Sequence, residues 1–154
     1  MFTLIEHADV YAPEPRGRQS VLLVGDRVGA VGAVDRRAVE AAGAAAGLEV
    51  TAVDARGCVV TPGFVDPHEH LLGGSGESGF ATQTPEIQLS EIVPHGITTV
   101  VGVLGVDTTM KTLPGLLARV KALGEEGLTA YMWTGGYDVP PKTVTRSVRD
   151  DMLF

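Results

Sequence analysis

The chain has 154 residues, 44% of them hydrophobic and 20% charged, a globular composition that excludes disorder and low-complexity fibre. Nineteen acidic residues against 12 basic give a net charge of -7, which argues against a nucleic-acid partner. A single cysteine, Cys58, excludes a disulfide scaffold and suits a reducing compartment. The opening MFTLIEHADV lacks a secretion-signal pattern, and no apolar run reaches the roughly 18 residues of a membrane span, so a cytoplasmic protein without membrane contact is expected.

Residues 1–57 read as a small β-domain. Ser20 to Val24 and Arg27 to Val31 flank Gly25-Asp26, a pair that closes hairpins. The alanine-rich stretch Arg36 to Gly47 suits a short helix or a surface excursion, and Val50 to Asp54 resumes extended, β-branched character. From Cys58 to Phe154 the rhythm becomes strand, loop, helix. Cys58 to Asp66 is a nearly continuous apolar run, expected as a strand buried on both faces. Thr84 with Pro85 is expected to open a helix that Pro94 and Gly96 stop. Ile97 to Leu104 is a second strand. Leu113, Leu116, Leu117, Val120 and Leu123 form one apolar stripe of a helix over Thr112 to Gly127. Leu128 to Thr134 is a third strand, and Ser147 with Asp150 resembles a capping box. Strands alternating with helices imply parallel crossovers. Three such units fall short of a closed barrel, which takes roughly 250 residues, so the chain is expected to be the front part of something longer.

Asp66-Pro67-His68-Glu69-His70 carries the strongest chemistry. Alternate residues of a strand share a face, so His68 and His70 project together with Asp66 below them. Two imidazoles side by side at the carboxyl end of a strand suit a divalent transition metal, although zinc needs further ligands. His7 and His95 are read as ordinary histidines. Glu77, in the loop Gly73-Gly74-Ser75-Gly76-Glu77, suits either a substrate ammonium group or plain solvation. Tyr137, after Gly135-Gly136, reads first as a packing aromatic, with hydrogen bonding to a developing oxyanion as its other role.

The run Val60-Thr61-Pro62-Gly63-Phe64-Val65-Asp66-Pro67-His68-Glu69-His70 resembles the entry signature of the amidohydrolase superfamily. Within it the chain resembles the isoaspartyl dipeptidase (β-aspartyl-peptidase) family. His70-Leu71-Leu72-Gly73-Gly74, Gly96-Ile97-Thr98-Thr99-Val100-Val101-Gly102, Thr134-Gly135-Gly136-Tyr137 and Thr143-Val144-Thr145-Arg146-Ser147-Val148 carry the likeness along essentially the whole chain. The resemblance implies an α/β protein: a β-sandwich-like domain, then the first three βα units of a (β/α)8 TIM-type barrel. It also implies zinc-dependent hydrolysis of the isopeptide bond of β-aspartyl dipeptides, two zinc ions, and a homo-oligomer when full length. His68 and His70 would bind zinc, Glu77 would take the substrate's free α-amino group, and Tyr137 would polarise the scissile carbonyl as a catalytic and substrate-binding residue.

The sequence departs from that pattern in places. Substrate-binding positions hold Ser75 where the family tends to have glycine and Val106 where it has threonine. No lysine follows Lys142, so the bridging lysine, later histidines and late aspartate of the family would lie beyond Phe154. Residues 1–154 alone are therefore expected to be inactive and marginally stable. Two rival readings are another barrel amidohydrolase acting on a cyclic amide, such as a hydantoin or dihydroorotate, and a non-catalytic truncated remnant.

Overall fold

Gly25 and Asp26 turn the chain between β2 (Pro15–Val24) and β3 (Arg27–Gly32), which pair antiparallel with Val24 opposite Arg27. The computed structural model describes residues 1–153. The chain divides into two units, Met1–Pro62 and Gly63–Phe154.

In the first unit, β1 (Phe2–Tyr11) is the central strand. It pairs antiparallel with β2 and parallel with both β4 (Val50–Asp54) and the short β5 (Val59–Val60), giving five strands in one sheet with order β3-β2-β1-β4. Helix α1 (Arg36–Ala46) makes the crossover that lets β4 run parallel to β1. Asp35 caps its start, with Oδ1 accepting from the Arg37 N–H at 2.9 Å. Ala8, Val10, Val21 and Ala55 are buried together. The sandwich expectation is corrected here: the described residues of this unit form a single mixed sheet with a helix. Alanine-rich residues 36–46 take the helical option.

The second unit holds three parallel strands in the order β6 (Phe64–Glu69), β7 (Ile97–Gly102), β8 (Thr129–Met132). Between β6 and β7 lies α2 (Leu89–Ile92), continued by a 3-10 turn over Val93–His95. Between β7 and β8 lies α3 (Leu113–Glu125), and α4 (Val148–Asp151) follows β8. The stripe on α3 packs as its periodicity demands: Leu113, Leu116, Val120 and Leu123 are buried with Leu71, Ile92, Val100, Leu104 and Leu128.

Two expected elements differ. The apolar run from Cys58 breaks, because Val59–Val60 joins the β1 sheet and β6 begins only at Phe64, past Pro62-Gly63. The unit boundary therefore falls after Pro62, where 57/58 was expected. Phe64 and Val65 are 57% and 61% exposed, so β6 is not buried on both faces; among the described residues it pairs with β7 alone. The helix expected from Thr84 starts later. The Thr84 hydroxyl instead accepts from the Gly74 N–H at 2.6 Å, and Glu91 Oε2 accepts from the Gln88 N–H at 2.8 Å to cap α2.

After β8, the partly buried Asp151 gathers the chain. Its carboxylate accepts from the hydroxyls of Thr134 and Thr145 and from the N–H groups of Val144 and Thr145, the last at 2.8 Å. Burial opposes the charge, but these donors outweigh it and hold the carboxyl far below its ordinary 3.8.

Leu116 is fully buried, and Leu116→Ala is expected to lower unfolding stability by about 3 kcal/mol in a denaturant titration. A carboxyl depressed in the folded state adds stability that is lost as pH falls below its unfolded value, here 3.8. Melting followed by circular dichroism should thus show the wild type losing stability more steeply than Asp151→Asn over that acid range, the two converging at its lower end.

Candidate active site

The site begins where β6 slips against β7. Asp66 faces Val100 and Glu69 faces Gly102, so β6 carries one residue more than β7 over the stretch holding Pro67 and His68. Pro67 has no N–H to give to a ladder. Its carbonyl instead accepts from the Trp133 indole at 2.9 Å, tying the end of β6 to the residue just after β8. Two carboxylates, one before and one between the histidines, hold the backbone: Asp66 Oδ1 accepts from the His68 N–H and Glu69 Oε1 from the His70 N–H, each at 2.9 Å. Burial, then the nearby Asp66 charge, push the Glu69 carboxyl above its usual range.

His68 and His70 do come together. Their ring centroids lie 5.5 Å apart with planes tilted by 58°. His68 is exposed and His70 half-buried, and His70 Nδ1 is enclosed without a hydrogen-bond partner. Gly105 explains the enclosure. Its φ is +74°, and a Cβ there would stand 2.6 Å from His70 Cε1 and 3.0 Å from Nδ1, besides colliding with the Ser75 hydroxyl. Ser75 is itself buried, with Oγ donating to the Leu104 carbonyl at 2.6 Å.

A cleft of about 240 Å³ lies beside His68, lined by this residue with Leu104, Gly105, Trp133, Gly136 and Tyr137 among others. It thus unites His68 with Tyr137, which is 74% exposed. Ser75, Glu77 and Val106 are not part of its lining; Glu77 and Val106 are exposed loop residues. His70 opens instead onto a groove with Glu69, Thr84 and Glu91. His95 sits in the turn before β7, at the opposite end of the strands from His70. His7 belongs to the first unit, where its Nδ1 lies 3.2 Å from Asp54 Oδ1.

Zinc takes four ligands as a rule. The paired imidazoles, with one ring nitrogen lacking a partner, fit two corners of such a site. Among the described residues no group of three or more His, Cys, Asp or Glu side chains is arranged to hold an ion. No helix among them is long and apolar enough to cross a membrane. Sequence reasoning missed Trp133 and Gly105. Trp133 is the chain's one tryptophan and falls at a strand end, a signal in hindsight; Gly105 had only its place after the second strand.

No family model matches the chain. The relatives it does match are hydrolases of the amidohydrolase superfamily. Over its whole length the chain is similar to the solved β-aspartyl dipeptidase of Fervidobacterium islandicum AW-1, at 39% identity and a TM-score of 0.87, covering 40% of that chain. The same enzyme in complex with the β-Asp-Leu dipeptide gives 38% identity and a TM-score of 0.83, with 38% of that chain covered. A curated relative, imidazolonepropionase of Halobacterium salinarum, is 32% identical over 121 residues, which is 77% of this chain and 29% of that protein. The chain spans less than half the length of each of these relatives.

Gly105→Ala combines a strained backbone with a collision against His70, and is expected to cost about 2 kcal/mol of unfolding stability. The His70 ring resonances should shift with it; unchanged resonances would show that the ring does not rest on Gly105.

Proposed function

We propose that this chain is the amino-terminal part of a zinc-dependent amidohydrolase that cleaves the isopeptide bond of β-aspartyl dipeptides. The carrying observation is the similarity over the full chain, at 38–39% identity, to a β-aspartyl dipeptidase that has been solved with β-Asp-Leu. In this reading β6, β7 and β8 are the first strands of a (β/α)8 barrel, and residues 1–57, extended by the β5 segment, are a small β-domain before it. His68 and His70 hold zinc, two ions in the complete enzyme. Zinc, when bound, lowers the pKa of water and polarises the carbonyl.

This chain's own residues bind and orient the dipeptide. The Tyr137 hydroxyl donates to the scissile carbonyl oxygen as negative charge develops there, and its exposure in the cleft with His68 supports that role. The exposed Glu77 carboxylate receives the α-ammonium group. Ser75 and Val106 border the substrate. Ser75 does so through its backbone, since its hydroxyl is committed to Leu104. Turnover requires donors and a general base outside residues 1–154, so the chain by itself is inactive.

The similarity to imidazolonepropionase favours a second reading, an amidohydrolase of cyclic amides. An assay of the complete protein with zinc separates the two. β-Asp-Leu should be hydrolysed, its N-acetyl derivative and imidazolonepropionate should not, and Glu77→Gln should raise KM for β-Asp-Leu about tenfold or more with kcat less affected. Cleavage of imidazolonepropionate in preference to β-Asp-Leu would favour the second reading, and cleavage of the N-acetyl derivative as readily as β-Asp-Leu would count against the dipeptidase.

A further inference from the structure

Tyr137 is asked to meet a developing charge from a loop with two glycines immediately before it, and a phenol on so free a backbone would sample many positions. The neighbouring residue removes that freedom. The Thr108 hydroxyl, on the loop after β7, donates to Asp138 Oδ2 at 2.8 Å. Lys142 Nζ closes the group, donating to the Thr108 carbonyl at 2.9 Å and to its hydroxyl at 3.1 Å, with Asp138 Oδ2 3.4 Å away. Thr108 also presses on the other side of Tyr137: its Cγ2 lies 2.6 Å from where a Gly136 Cβ would stand. One threonine therefore grips the residues before and after the tyrosine, and binds the loop after β8 to the loop after β7.

We infer that Thr108 and Asp138 are positioning residues that hold Tyr137 in the cleft with His68. The inference rests on the dipeptidase reading for what Tyr137 does, and on the two-loop tie for how it is held. The Thr108 bond, then Lys142, keep the Asp138 carboxyl below its usual range against the opposing effect of burial, so the acceptor is charged at neutral pH.

The test uses the complete, zinc-loaded protein. Thr108→Val, which keeps the shape and removes the hydroxyl, is expected to lower kcat on β-Asp-Leu about tenfold or more with KM little changed. Thr108→Ser should restore most of the rate. In a Tyr137→Phe background, Thr108→Val should bring no further loss. A second readout needs no substrate: the 19F resonance of 3-fluorotyrosine at position 137, assigned by its loss in Tyr137→Phe. It should move toward that of a solvent-averaged tyrosine in Thr108→Val and in Asp138→Ala, but not in Thr108→Ser. A resonance unmoved by both variants, or a kcat loss that multiplies with that of Tyr137→Phe, overturns the inference. Should the wild type fail to cleave β-Asp-Leu, the dipeptidase reading falls, and the resonance decides the positioning claim by itself.

Discussion

Parallel pairing of β6 with β7 is the constraint on which the rest of the second unit depends. It aligns the carboxyl ends of β6, β7 and β8, so that the loops after each strand emerge at one edge of the sheet. At the slip in β6, the His68 and His70 rings lie 5.5 Å apart, while the Asp66 and Glu69 carboxylates accept from the histidines' backbone N–H groups. The slip against β7 falls at Pro67, where no ladder hydrogen bond is lost, and the Trp133 indole satisfies the carbonyl left over.

Around this edge the three loops brace one another with polar contacts. Ser75, from the loop after β6, reaches the Leu104 carbonyl after β7. Thr108, after β7, reaches Asp138 after β8. Asp151 draws Thr134 and Thr145 together within the last loop. Below them the apolar face of α3 anchors the sheet through Leu116 and Leu123. Exposed catalytic candidates on a braced edge over a buried layer are the arrangement a hydrolytic site requires, since reactive groups must stay open to substrate yet keep their geometry.

Much of this was legible in the residues. Gly25-Asp26 between two β-branched runs, four of the five stripe residues on α3 (Leu117 stays outside the core), and the neighbouring histidine pair after Pro67 each depend on local chemistry, and each is found where local chemistry puts it. What failed depended on tertiary partners. Thr84 has the chemistry of a helix cap, but its hydroxyl meets the Gly74 N–H and the helix waits for Gln88. The run from Cys58 looks like one strand, yet Val59–Val60 finds its partner in β1 and the chain breaks at Pro62-Gly63. Where a sandwich-like domain was expected, the described residues of the first unit form one mixed sheet with a helix over the alanine-rich segment. In the site, the histidines and Tyr137 could be named from motif and place. The cleft that His68 shares with Tyr137 is lined by Trp133 and Gly105, whose roles come from approach across strands that no local pattern records.

The measurement that bears most directly on this account is the zinc content of the complete protein, with and without the histidine pair. The wild type should retain about two zinc ions per chain after exhaustive dialysis, as a two-metal hydrolase would. A folded His68→Asn/His70→Asn variant should retain fewer and lose turnover of β-Asp-Leu. Wild-type zinc content in that variant would contradict the assignment of the β6 edge as the metal-bearing site.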